Sequence, residues 1–320
     1  MTELQLETKN WDETILDDVA QFIFDNRIGI YRNARNSEGV RQYLTNVQKR
    51  YPADMIFLVR KDEALCGWLS LDRASESVAE LGRWQPIIEN SEFESEIANL
   101  ILQTILNYAN NNGITRIEGV FNGVTPKNLP DYERSAKWFD FNGIRRLEDN
   151  VYLTLQLQDF DFVSKMKKPN KLFRKSSLVD TDEESLYRCF YKTFSSSCDR
   201  EFLDSSDKQR REMFDKSIHN GLVNNDLSFV WMDGERIIGF AVVHSRDDEE
   251  HIDLFGIVDE YRGQGIAKSL LLCTIQHAKE LGYSRMSIGV DTTNSDAFHL
   301  YENVGFTVES RTIIHAWKGE

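Results

Sequence analysis

Cysteine is scarce: four in 320 residues. Cys66, Cys189, Cys198 and Cys273 stand at wide, irregular spacings that fit neither a metal-ligand pattern nor a disulfide framework, so reduced structural thiols are expected. No apolar run approaches the roughly 18 residues that a membrane helix needs, which leaves no predicted span and no membrane partner. The opening residues Met1-Thr2-Glu3-Leu4-Gln5-Leu6-Glu7 lack the basic start and apolar stretch of a secretory signal, so the cytoplasm is the expected compartment. Basic residues are outnumbered 38 to 52, a net charge of -14. Such a field repels phosphate backbones, argues against nucleic acid and is compatible with a cationic amine.

What is present is a soluble composition, 41% hydrophobic and 28% charged, in a chain long enough for two domains of ordinary size. One stretch breaks the acidic trend. Lys165-Met166-Lys167-Lys168-Pro169-Asn170-Lys171-Leu172-Phe173-Arg174-Lys175 carries six basic residues and no acid, and reads as an interdomain linker, with residues 159–176 as its bounds.

Beyond it, apolar spacing predicts helices over Glu183 to Phe194 and Ser206 to Ile218. The period then shortens. Ser228 to Met232 and Arg236 to Val243 read as strands joined through Asp233-Gly234-Glu235, whose Asp-Gly pair signals a hairpin. A third strand, Ile252 to Val258, runs into a glycine-containing turn. Ile266 to Leu281 follows as a long amphipathic helix closed by Gly282. A strand over Arg285 to Val290, a helix from Ser295 to Asn303 stopped by Gly305, and strand material from Phe306 to Trp317 complete the half.

The first half repeats this order. Ile56 to Leu69 matches Ser228 to Val242, with Gly67 facing Gly239 (239 − 67 = 172). Ala98 to Asn112 with Gly113 matches the long helix with Gly282 (282 − 113 = 169). Ala136 to Ile144 matches Phe298 to Phe306, with Gly143 facing Gly305 (305 − 143 = 162). Three offsets that drift by only ten residues point to a duplicated α/β unit.

The strongest chemical signal is Asp259-Glu260-Tyr261-Arg262-Gly263-Gln264-Gly265-Ile266-Ala267, set between a strand and a long helix. Small residues there let successive backbone N–H groups face an anion, and the helix dipole adds its positive end. The pattern lacks the Gly-Lys-Ser/Thr ending of a Walker loop and the glycine spacing of the dinucleotide fingerprint.

This segment resembles the acetyl-CoA motif of the GNAT acetyltransferase superfamily, with Arg262, Gly265 and Ala267 at its key positions. The resemblance implies two tandem GNAT-like α/β domains, each a mixed, mostly antiparallel sheet flanked by helices: a degenerate copy over 1–158 and a catalytic one over 177–320. It implies acetyl-CoA as acyl donor, held by the backbone of Arg262, Gly263, Gln264, Gly265, Ile266 and Ala267. Ile257 and Val258 would pair with its pantetheine arm, and backbone N–H on that strand would face the thioester oxygen. Asn294 would lie near the coenzyme and Tyr301 near its sulfur, where a phenol can protonate the departing thiolate. The acceptor would be a primary amine, small molecule or peptide, and no metal is called for. A coenzyme-binding sensor without turnover is the alternative.

The attacking amine must be neutral, and a free alkylamine, with a pKa near about 10.4, is protonated at pH 7. Asp253 is the candidate base, with Glu250 and His244 close in sequence; His244 is expected at the surface, at a strand end. In the first half the offset of 169 places Phe93 opposite Arg262 and Glu96 opposite Gly265, and the offset of 162 places Phe139 opposite Tyr301. That half therefore reads as a copy without donor site or acid, an arrangement that resembles the class of tandem GNAT proteins with one degenerate copy, mycothiol synthase among them. Its aromatic residues Trp84, Tyr132, Trp138 and Phe139 read as core in preference to pocket lining.

Overall fold

The computed structural model describes residues 4–11, 13–50, 55–158, 160, 173–246 and 249–319. Most of the linker read from the basic run, 159 and 161–172, lies outside the described residues. No described helix is long and apolar enough to cross a membrane. All four cysteines are free thiols, Cys66 and Cys189 buried and Cys198 exposed.

The chain forms two compact units, residues 1–149 with 310–320, and residues 150–309. A division at 158 and 177 would cut elsewhere: each unit includes a strand that such a division assigns to the other half.

In the first unit the strands are β1 (Gln5–Lys9), β2 (Met55–Lys61), β3 (Ala64–Arg73), β4 (Val78–Leu81), β5 (Ile87–Ile88) and β6 (Arg116–Val124). The helices are α1 (Leu16–Asp25), α2 (Ser37–Arg50), α3 (Glu94–Asn111) and α4 (Leu129–Phe141). Strand β7 (Arg145–Gln156) begins here and belongs to the second unit from Asn150 onward. The sheet order is β1-β2-β3-β4-β6, completed by residues 311–318 of the last strand, β13 (Thr307–Lys318). All neighbours are antiparallel except β4 and β6, paired from Val78↔Arg116 to Glu80↔Glu118.

The second unit holds β8 (Arg174–Ser177), α5 (Glu183–Ser195), the short α6 (Arg200–Asp204) and α7 (Asp207–His219). Strands β9 (Phe229–Asp233), β10 (Arg236–Arg246) and β11 (Glu249–Ile257) follow, then α8 (Ile266–Glu280), β12 (Arg285–Asp291) and α9 (Ser295–Val304). Its order, β8-β9-β10-β11-β12-β7, has the same pattern, with β11 and β12 the one parallel pair. The repeat read from the sequence is thus present, with one exchange: the strand after α4 closes the second sheet and the strand after α9 closes the first.

Local signals explain the element ends. Ser206 and Gln209 form a capping box at α7, satisfying donors that a helix start leaves open. Gly234 (φ 64°) makes the β9–β10 turn as the Asp-Gly pair predicts. The four aromatic residues named above are all buried in the first unit's core. Trp84 is fully buried, its indole against Gly29, where even a methyl would fall within 2 Å of the ring. Its Nε1 donates to the Asn122 carbonyl at 2.6 Å. Trp84→Ala is expected to destabilise this unit by about 3–5 kcal/mol, read as a lower urea midpoint, because so large a void cannot collapse.

Candidate active site

The site in the second unit is made by two parallel strands that part. β11 pairs with β12 only at Glu250↔Met286, His251↔Ser287 and Ile252↔Ile288. The cause lies on the opposite edge. The register against β10 passes from Val243↔Ile252 to Val242↔Leu254, so Asp253 is an extra residue and bends the strand. Beyond it Leu254 to Ile257 stays bonded to β10, while among the described residues its other edge has no strand partner. Such an edge offers backbone donors and acceptors to an extended ligand. Gly256 lets α5 approach, since a side chain there would meet Thr193 at 2.4 Å.

The loop after β11 ends in a helix start without a side-chain cap. Gly263 (φ 72°) and Gly265 (φ 77°) lie in the left-handed region with open space where a Cβ would be. Gly265 is the N-cap of α8, whose first turn has neither a side-chain cap nor an acid, so its N–H groups face outward at the positive end of the dipole. The Arg262 guanidinium is turned away from this space. It donates to the carbonyls of Thr193 (3.0 Å), Ser196 (3.0 Å) and Ile257 (3.1 Å), tying the loop to the C-terminal end of α5. Of Arg262, only the backbone is left to meet a ligand. Gln264 donates to the Glu260 carbonyl at 3.2 Å. The Glu260 carboxylate is held down to about 2, chiefly by Lys192, with Arg236 as its second cation, so the loop's acid is neutralised by its neighbours.

Tyr301 on α9 is buried, and burial raises its pKa, which keeps the phenol protonated. Its ring meets Phe255 edge-on at 6.1 Å, beside the free edge of β11, and among the described residues no hydrogen bond engages its hydroxyl. Asn294 caps α9 by accepting from the Ala297 N–H at 3.3 Å, which leaves its amide group available. Ile257 and Val258 are buried against the α5 cluster.

Of the candidate bases, His244 differs from the sequence expectation in its burial. Asp253 is ion-paired with Arg246 at 3.3 Å and lies 3.4 Å from the His244 ring. His244 is buried, 2% exposed, where a surface position was expected. Strand β10 continues to Arg246, and the His244 ring contacts the Ser217 carbonyl at 2.7 Å through Nε2, which gives a buried imidazole its partner. Glu250 is buried, accepts from Ser245 and Asn224, and is raised by desolvation.

His251, Ser287 and Tyr152 were not singled out by the sequence reading. His251 and Ser287 face each other on β11 and β12 one pair before the last, and Tyr152 stands on β7 opposite Gly289 and precedes the linker. His251 is pushed down to about 4, mainly by burial and then by Arg246. A folded value below the unfolded one of about 6.5 means the unfolded chain binds more protons across that window. Stability should therefore rise with pH from about 4 to 6.5, by up to about 3 kcal/mol from this group. Urea titrations at pH 5 and pH 7 are expected to show a smaller difference in His251→Gln than in the unaltered chain.

The first unit is built otherwise at the matching places. After Leu81 the Trp84 N–H donates to the Val120 carbonyl at 3.1 Å, and β5 returns to β3 at Gly67 and Trp68. Phe93 is the N-cap of α3, whose first turn carries Glu94 and Glu96. Lys61 sits over the Phe93 ring at 3.6 Å. A cavity of about 600 Å³ beside them is lined by Asp62, Glu89 and Glu92 as well as Lys61, a setting that repels a pyrophosphate. Phe139, opposite Tyr301 in the repeat, packs against Phe121 and His315. One group spaced for a metal, Glu183, Asp215 and His219 in the second unit, is crossed by Arg211, which binds Glu183 at 2.7 Å and Asp215 at 2.8 Å.

Residues 184–306 match the Acetyltransferase (GNAT) family. N-alpha-acetyltransferase 30 of Schizosaccharomyces pombe is 32% identical over 107 residues, 31% of this chain and 71% of that protein. Mycothiol acetyltransferase of Corynebacterium efficiens is 33% identical over 91 residues, 28% of this chain and 30% of its own length. The matched segment thus spans about a third of that relative. Among solved structures, a GCN5-related N-acetyltransferase from Sphaerobacter thermophilus aligns with a TM-score of 0.61 at 13% identity, over 98% of this chain and 95% of that one. A tandem GNAT protein from the clavulanic acid biosynthesis pathway aligns with a TM-score of 0.51 at 13% identity, over 99% and 98%. The chain belongs to the GNAT acetyltransferase family, and its fold is the tandem, mixed α/β arrangement of that family.

Proposed function

We propose that the second unit transfers acetyl from acetyl-CoA to a primary amine by direct attack, and that the first unit is a copy without a coenzyme site. The observation that carries this reading is the convergence of three features: the uncapped start of α8 behind Gly263 and Gly265, the unpaired edge of β11, and the buried Tyr301 hydroxyl beside Phe255. The amides from Arg262 to Ala267, with Asn294 nearby, would hold the pyrophosphate. Leu254 to Val258 would pair with the pantetheine arm, bringing the thioester to the opening between β11 and β12. The amine lone pair forms the C–N bond, the C–S bond breaks, the thiolate takes the Tyr301 proton, and the proton shed by the amine nitrogen passes to a neighbouring base. Asp253 is the carboxylate placed to draw a cationic amine toward the opening.

The test is calorimetric titration of the full chain with acetyl-CoA, followed by release of free thiol in the presence of ethanolamine, glucosamine, spermidine or a peptide with a free N-terminus. One site per chain and amine-dependent thiol release are expected. Two sites would remove the reading of the first unit, and no site would remove the donor.

A further inference from the structure

We infer that His251 Nε2 is the proton acceptor for the attacking amine and that Ser287, Tyr152 and Glu249 hold its ring in the required tautomer. The inference rests on the acetyl-transfer reading above.

The four residues form one hydrogen-bonded chain across three strands. His251 Nδ1 lies 2.9 Å from Ser287 Oγ, Ser287 Oγ lies 2.8 Å from the Tyr152 hydroxyl, and Tyr152 donates to the Glu249 carboxylate. Glu249 is in turn bound by Arg285 at 3.0 Å. Each of the first three groups brings one proton to the chain, and a carboxylate only accepts. Tyr152 therefore gives its proton to Glu249, Ser287 gives its proton to Tyr152, and His251 gives the Nδ1 proton to Ser287. This is the one arrangement in which all three contacts hold a proton, and bonds aligned toward an anion reinforce one another. It leaves Nε2 with a bare lone pair.

That nitrogen is also in the right place. His251↔Ser287 is the pair immediately before the last one, Ile252↔Ile288, after which β11 and β12 part. The ring is 92% buried, stacked on Tyr152 at 5.6 Å and 7°, and among the described residues nothing bonds Nε2. The groups facing it are Arg246 and His244 from β10, Asp253 and Glu249 from its own strand, Ser287 from β12 and Tyr152 from β7. Burial and Arg246 keep the ring neutral near pH 7. As the amine bonds to the acetyl carbon its N–H becomes acidic and that proton moves to Nε2, while Tyr301 protonates the sulfur. The products are the amide and free coenzyme thiol, and both side chains recover their protonation by exchange with water.

Long-range proton–nitrogen correlation spectra of the nitrogen-15-labelled full chain at pH 7 read the tautomer directly, with His251→Gln identifying the signal. The expected result is a protonated Nδ1 and a bare Nε2, changing to a mixture in Tyr152→Phe. A proton on Nε2 in the unaltered chain would overturn the inference whatever the activity. In kinetics with acetyl-CoA, His251→Gln should lose about 100-fold in kcat with both ethanolamine and hydroxylamine, since each sheds an N–H proton as it bonds to carbon, while acetyl-CoA affinity stays within about twofold. An unchanged kcat with both nucleophiles would overturn it too, leaving His251 a packing residue. Failure of the unaltered chain to bind acetyl-CoA is the separate result that removes the acetyl-transfer reading, and it is seen before any amine is added.

Discussion

Gly265→Asp should weaken acetyl-CoA binding by at least about 100-fold, roughly 2.7 kcal/mol, and lower the melting temperature slightly, because a side chain at this left-handed position is strained. Gly265 is left-handed and not in the extended conformation from which an N-cap side chain accepts its N–H bonds, so an aspartate there adds strain and a negative charge without capping the helix. The N–H groups of that first turn are the ones proposed to receive the pyrophosphate, and the added charge repels it. The first unit shows the same physics, with Glu94 and Glu96 in the opening turn of α3. Calorimetric titration and a thermal melt of one preparation check both halves of the expectation. An unchanged affinity would mean that the coenzyme's phosphates lie elsewhere.

The second large effect is expected in Tyr301→Phe: kcat lower by about 100- to 1,000-fold with acetyl-CoA affinity within about twofold. The hydroxyl is buried and makes no hydrogen bond among the described residues, so its removal leaves no partner unsatisfied and the ring still fills its place against Phe255 and Phe306. A folding defect is therefore not expected. If turnover is retained, the thiolate takes its proton from water and Tyr301 serves only packing. Titration with acetyl-CoA beside steady-state rates separates loss of chemistry from loss of binding.

The second unit's fold was legible because its signals are local. The Asp-Gly turn, Gly282 after α8, the period change at Phe229 and the glycine loop each act within a few residues, and the elements fall within a few positions of where those signals place them. The short β8 and α6 carried too few residues to show a period. Residues whose environment is made by distant chain were not legible. His244 is buried because the Ser217 carbonyl reaches its ring, and Tyr152 joins the site from before the linker. Arg262 was read as a backbone contributor, and its side-chain task of holding the end of α5 depends on Thr193 and Ser196, nearly seventy residues earlier. The destinations of β7 and β13 were equally hidden, since the alternating pattern of a strand shows that one face is buried and not which neighbour it has.

That exchange of strands has a consequence for biosynthesis. The sheet of the first unit has its edge at β6 until residues 311–318 arrive, and at least 186 residues (125–310) are translated between the two. At ordinary elongation rates of roughly 5–20 residues per second, the nascent first unit waits on the order of ten seconds or more with an open strand edge. Pairings this distant in sequence are slow to form. A ribosome stalled anywhere in the second unit would thus leave the first one unfinished, exposed to chaperones and to other copies of itself.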